Sequence, residues 1–252
     1  METPTGIKLE ICLDSVPSAI AAQNGGADRV ELCDNLLEGG TTPSAGAIAA
    51  ARQHLTTTGL QVMIRPRGGD FLYSDVELDI MRRDIETAKS LGADGIVFGL
   101  LNPDGAIDEK HTRELVELSR PLNVTFHRAF DVCRDPLEAL ETLCAIGVDR
   151  ILTSGQEPSV LEGADLIHDL IQRAGDRTII LPGCGITPRN LDKILALTNA
   201  TEVHIYTTDP VESGMTHRNN EVFMGGLLRP PEYSREVASA GSVAALRTAL
   251  NK

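Results

Sequence analysis

The chain has 252 residues, with 23 Lys and Arg against 36 Asp and Glu and a formal net charge of −13. That excess of acid excludes non-specific binding to nucleic acid or to an anionic membrane surface, both of which need a basic footprint. Hydrophobic residues at 42% and charged residues at 23% exclude a disordered chain, and no apolar run reaches the roughly 18 residues of a transmembrane helix.

The first residues, METPTGIKLE, lack the basic and then apolar stretches of a secretory signal. In chain order, strands are predicted at 8–14, 29–33, 60–65, 95–101, 123–130, 150–154, 178–181 and 202–207. Helical segments between them include 16–24, 75–91, 109–119, 136–146, 159–174, 188–197 and 232–250. A short signature recurs along the way: Gly26-Ala27-Asp28-Arg29-Val30, Gly92-Ala93-Asp94-Gly95-Ile96, Gly147-Val148-Asp149-Arg150-Ile151 and, more weakly, Asn199-Ala200-Thr201-Glu202-Val203. Its glycine or asparagine suits the left-handed residue that ends a helix, and each spacing holds two strand–helix units. Eight units of about 31 residues predict an α/β fold, a (β/α)8 barrel, with residues 1–252 as one domain. A doubly wound open sheet is the alternative, but no GxGxxG follows the first strand. The Pro/Gly-rich stretch 209–231 is expected to be an irregular loop between the last strand and the last helix.

Strand alternation then assigns faces. In Leu9-Glu10-Ile11-Cys12-Leu13 and Val30-Glu31-Leu32-Cys33 the aliphatic set suits the helix-facing side, so Glu10, Cys12, Glu31 and Cys33 point into the barrel. Adjacent strands lie about 4.8 Å apart, which predicts Glu10 beside Glu31 and Cys12 beside Cys33 at similar heights. Arg65, His127, Thr153, Ser154, the Gly183-Cys184-Gly185 turn and His204 add polar groups to the interior and its C-terminal mouth, where barrel active sites sit. One reading is a structural ion network, with Glu10 and Glu31 held by Arg65 and His127. The other is a functional site.

Two chemistries fit a site. The paired thiols of Cys12 and Cys33 suit Cu(I), which prefers soft ligands. Alternatively, Glu10, Glu31 and His127 could run acid–base chemistry on a small anionic or phosphorylated metabolite. Arg65, Arg67, Arg128 and the backbone at Gly183 and Gly185 would then bind the anion. The five lysines avoid the strand C-termini, which disfavours a Schiff-base aldolase, and neither GxSxG nor HExxH occurs. The five cysteines, odd in number and without a CxxC, fit a reducing, cytoplasmic compartment.

Five motifs resemble the CutC copper-homeostasis family: Arg29-Val-Glu31-Leu-Cys33, Glu38-Gly39-Gly40-Thr-Thr-Pro43-Ser44, Ile64-Arg65-Pro66-Arg67-Gly68-Gly69-Asp70-Phe71, Thr125-Phe126-His127-Arg128-Ala129-Phe130-Asp131 and Leu152-Thr153-Ser154-Gly155-Gln156. The resemblance runs over about residues 9–219 and the closing helix. It implies a (β/α)8-type barrel, a cytoplasmic homo-oligomer (dimer or tetramer) and a role in copper handling, with Cys12 and Cys33 at the positions proposed to bind Cu(I). The mouth positions matching the motifs are Glu10, Glu31, Arg65, Arg67, His127, Arg128 and Asp131, of which Asp131 joins the hypothetical catalytic set. No nucleic-acid or membrane partner is expected.

Overall fold

A computed structural model describes residues 6–224 and 231–251. Eight parallel strands form a ring: β1 (Lys8–Leu13), β2 (Arg29–Leu32), β3 (Gly59–Met63), β4 (Gly95–Phe98), β5 (Asn123–Phe126), β6 (Arg150–Thr153), β7 (Ile179–Pro182) and β8 (Glu202–Tyr206). Each pairs with its sequence neighbour, β1 pairs with β8, and a parallel bridge between Gly183 and His204 closes the ring. Helices alternate with the strands: α1 (Val16–Asn24), α2 (Ala45–His54), α3 (Asp75–Ser90), α4 (Glu109–Ser119), α5 (Pro136–Ile146), α6 (Ala164–Ala174), α7 (Leu191–Thr198) and α8 (Ala240–Leu250). This is the (β/α)8 barrel that the eightfold alternation predicts. Among the described residues no helix is long and apolar enough to cross a membrane.

The recurring signature has a structural role. Gly26, Gly92, Gly147 and Asn199 all have positive φ and end their helices. The aspartate that follows turns back to the preceding strand. Asp28 accepts a hydrogen bond from the Leu9 amide at 2.7 Å, Asp94 from Leu60 at 2.8 Å and Asp149 from Val124 at 2.8 Å. Each also receives an arginine, from Arg247, Arg52 and Arg120 respectively. The signature therefore laces β1 to β2, β3 to β4 and β5 to β6 at the end of the barrel where strands begin. The weak fourth copy has Thr201 in place of the aspartate and lacks this bond; there Lys8 donates its amide to the Thr201 carbonyl.

The aliphatic side chains divide as the strand phase requires. Leu9, Ile11, Val30, Leu32, Leu60, Val62, Ile96 and Phe98 belong to the core between sheet and helices. Cys12, Cys33, Met63 and Val97 form a separate cluster inside the ring, with Leu36 against it.

Several boundaries differ from the sequence reading. The third strand stops at Met63, and the fifth stops at Phe126 because His127 accepts the Ala129 amide and starts a 3-10 turn at Arg128–Val132. α2 adds a helix to the predicted set, capped by Ser44. α7 begins at Leu191, not Pro188, since the Asn190 side chain folds back to the Thr187 amide. The largest change concerns 209–231. Asp209–Glu212 (β9) pairs antiparallel with Ser234–Val237 (β10), so this segment is a two-stranded arm, and residues 225–230 of it lie outside the described residues. The predicted helix 232–250 is therefore shortened to α8, which Ser239 caps by accepting the Ser242 amide.

Candidate functional site

Strand tilt decides how the inward residues meet. In a barrel tilted by about 36°, a hydrogen-bonded partner on the next strand sits about one residue off in height, so inward side chains of neighbouring strands interleave. The Cα partner of Glu10 is Arg29 and that of Cys12 is Glu31. The expected neighbours Glu10 and Glu31, and Cys12 and Cys33, do converge, but the register offsets them along the strands and does not set them level. The observed register places Cys12 against both Glu31 and Cys33, and the ligand atoms of these three residues lie within 4.8 Å of one another. All three are buried.

Below them runs a column of buried charge. Arg150 Nε donates to Glu202 Oε2 at 2.8 Å. Arg29 Nη2 donates to the same oxygen at 2.6 Å and Arg29 Nε to Glu10 Oε2 at 2.7 Å. His204 Nδ1 lies 2.8 Å from Glu10 Oε1, and its Nε2 lies 3.7 Å from Glu31 Oε2. Cys33 Sγ is 3.5 Å from that Glu31 oxygen. A continuous polar chain thus leads from Arg150, at the end where strands begin, to the thiols near the mouth. Glu10, Glu31 and His204 form a second group whose ligand atoms converge within 4.8 Å.

The network separates the acidities of its members. Burial pushes the Glu10 carboxyl up, but the Arg29 guanidinium and the His204 ring outweigh it and bring the group down to about 2. Burial dominates at Glu31 and raises it well above the ordinary carboxylate range, against the pull of His204. Burial also opposes charge on His204, yet Glu31, Cys12 and Glu10 around the ring raise it well above the ordinary imidazole value. Between the thiols, the hydrogen bond with Cys33 lowers Cys12 to about 5, helped against burial by His204, and the same bond, followed by burial, raises Cys33. The network thus lowers Glu10 and Cys12 and raises Glu31, Cys33 and His204, so neighbouring groups of one kind are pushed in opposite directions.

The remaining expected site residues are distributed around the mouth. Arg65 donates to the carbonyls of Glu38, Gly40 and Gly69 at 2.7–2.8 Å and stacks on Phe71, so it ties the β2–α2 and β3–α3 loops together. Neither Arg65 nor His127 holds Glu10 or Glu31; Arg29 and His204 do, which corrects the expected ion network. Arg67 is bonded to Glu77 and Asp70 and with Arg65 lines a cleft of about 350 Å³ between the β2–α2 loop and α3. Arg128 joins Asp131 at 2.7 Å and Ser154 at 3.0 Å. Asp131 also accepts from Thr153 Oγ1 and the Ser154 amide, fixing the loop after β6. His127 lies 4.9 Å from the Phe71 ring, its Nε2 buried without a protein partner. Burial, then the Arg65 charge, lowers it to about 3, so the ring is neutral. The Gly183 amide donates to Thr153, and the Gly185 carbonyl accepts from Asn190.

Arg29 is the residue the sequence reading missed. It lies two positions before Glu31 and four before Cys33, so the same alternation that turned those two inward also turned Arg29 inward. Its place in a helix-ending signature masked this. His204 was placed inside but not joined to Glu10, because β8 and β1 are neighbours only once the barrel closes.

Replacing Arg29 with Met leaves Glu10 and Glu202 buried without their shared cation, which costs about 3–5 kcal/mol; chemical denaturation at neutral pH measures it. The Glu10 carboxylate, depressed from 4.5 to about 2, stabilises the fold above its unfolded pKa, and that stability is lost as pH falls through the folded pKa. Glu10→Gln is therefore expected to be less stable than the wild type near neutral pH, with the gap closing as pH falls toward about 2, read from urea midpoints across pH.

The CutC family profile matches residues 7–208. A copper homeostasis protein cutC homolog from Mus musculus is 52% identical over 241 residues, 96% of this chain and 88% of that protein. A family protein CutC from Bacteroides fragilis is 52% identical over 234 residues, 93% of each chain. The crystal structure of the putative copper homeostasis protein CutC from Streptococcus agalactiae superposes with a TM-score of 0.75 at 37% identity, covering 79% of this chain and 97% of that one. This chain belongs to the CutC family.

Proposed function

We propose that this protein serves copper homeostasis by binding one Cu(I) ion between Cys12 and Cys33. The observation that carries the reading is the convergence of the two sulfurs and a Glu31 oxygen within 4.8 Å. Two metal–sulfur bonds of about 2.3 Å, the value for zinc, span about 4.6 Å, so two thiolates at this separation can hold one ion with little movement. The donor set also fits: Cu(I) favours thiolates, and Cys12 already sits low enough to be a thiolate at neutral pH. The names of the mouse and Streptococcus agalactiae relatives point the same way. A reduced thiol pair belongs in the cytoplasm, and we place the protein there as a homo-oligomer, a dimer or tetramer.

Anaerobic titration under reducing conditions is expected to give about one Cu(I) per chain, and the Cys12→Ser, Cys33→Ser double variant to lose it. Unchanged stoichiometry and affinity in the double variant would refute the assignment.

The split between the two glutamates favours a second reading, an enzyme acting on a small anionic or phosphorylated metabolite. A carboxylate and a carboxylic acid side by side supply a base and an acid. In this reading Glu31 gives the proton and Glu10 remains its charged counterpart. Neutral His127, with its buried Nε2 unpartnered, is the candidate proton carrier on the substrate side, and Asp131 holds Arg128 at the mouth. Arg67 and Arg128, with the Gly185 backbone, would bind the anion at a mouth whose loops Arg65 and the Gly183 amide hold in place. A panel of small carboxylates and phosphates is expected to include one that raises the thermal midpoint of the wild type but not of an Arg65→Ala, His127→Ala variant. A panel that stabilises both equally, or neither, argues against it.

A further inference from the structure

The wall behind the two cysteines contains a third sulfur. β2 and β3 pair Leu32 with Val62. Met63 ends β3 and pairs with Val97, and Cys33 directly follows β2, so continuing the register brings the two together on the inward face. Met63 is 4% exposed and packs in one cluster with Cys12, Cys33 and Val97, apart from the outer core. The chain has five methionines. Met81 lies in the outer core, and Met215 and Met224 are exposed. Among the described residues Met63 alone occupies the barrel interior.

Barrel interiors are ordinarily filled by branched aliphatics, as Val97 does on the next strand. Methionine differs in two relevant ways. Its unbranched side chain turns about three bonds, and its thioether is polarizable. Thioether sulfur shares with thiolate the softness that selects Cu(I), and it needs no deprotonation to bind. Glu31, the other donor near the thiols, offers a hard oxygen ligand.

We propose that Met63 is a third ligand of the copper site, its Sδ completing a three-sulfur set with Cys12 and Cys33. The proposal rests on the two-thiol reading above and adds to it why the ion is held as Cu(I): an all-sulfur set disfavours hard divalent ions.

The test is copper-edge X-ray absorption on the anaerobically loaded protein, with affinity measured by competition against a chromophoric Cu(I) chelator. The wild type is expected to show three sulfur scatterers, and Met63→Leu two, with affinity about tenfold weaker or more. Leucine approximates the volume of methionine, and an unchanged unfolding midpoint of the apoprotein shows that only the sulfur was lost. A second arm needs no variant. Protein labelled with selenomethionine is expected to show one copper–selenium shell, absent in labelled Met63→Leu. Two sulfur scatterers in the wild type, or no selenium shell, overturns the Met63 assignment while leaving the thiols in place. Binding that survives Cys12→Ser with Cys33→Ser instead overturns the two-thiol reading itself.

Discussion

Arg29 reaches Glu10 on β1 with Nε and Glu202 on β8 with Nη2, and this buried fork governs how β8, β1 and β2 meet. Without it Glu202 would keep only Arg150 and Glu10 only His204, and a buried carboxylate that loses a partner costs several kcal/mol. With Arg29 in place, Glu10 stays ionised and offers its second oxygen to His204. His204 then carries positive charge up to Glu31 and the thiols. A residue near the opposite end of the barrel thereby sets the electrostatic state of the mouth. An apolar replacement of the whole column would fill the same space, but it would leave the cysteines as two ordinary buried thiols of raised pKa.

The same end of the barrel is laced by Asp28, Asp94 and Asp149, each bonded to the strand before it and to an arginine. Function and stability are thus separated along the axis. The repeated aspartates fix the strand starts in pairs, the ion column occupies the middle, and the long loops with Arg65, Arg67 and Arg128 shape the mouth. The net charge of −13 belongs largely outside this frame. Exposed carboxylates such as Asp79 and Glu109 pair with arginines one turn along the same helix.

Much of this was legible in the chain itself. The glycine–aspartate signature marked every second strand, and alternation in ICL and VELC turned Glu10, Cys12, Glu31 and Cys33 inward because period two leaves no other face for the aliphatics. Two kinds of information were missing. Register depends on strand tilt, which is a property of the closed ring, so the diagonal fit of Cys12 between Glu31 and Cys33 could not be read from two strands taken alone. Partnership across closure, as between His204 and Glu10, joins residues 194 positions apart. Arginines at a mouth motif also look alike in sequence whether they await an anion or tie down loops. Arg65 spends its guanidinium on three carbonyls, and only the loop conformations reveal that. Finally, the arm of β9 and β10 has no strong alternation, and its pairing depends on a strand 22 residues further along the chain.

Charge balance inside the ring links the column to the kind of ion the thiols suit. Arg29, Arg150 and His204 are positive, while Glu10, Glu202 and the Cys12 sulfur are negative. The hydrogen bond with Cys12 and burial raise Cys33, and burial beside negative neighbours raises Glu31. The three positive and three negative groups of the column balance. A monovalent cation that displaces the Cys33 proton leaves that balance unchanged, since one unit of charge enters and one leaves. A divalent ion doing the same would strand one positive charge in a low-dielectric interior, beside an imidazolium that repels it. Removing that charge would require a proton from Glu31, whose carboxyl burial raises. In the proposed Cu(I) reading, the arrangement of Arg29, Glu10 and His204 would add this charge preference for a monovalent ion to the softness of the sulfur atoms.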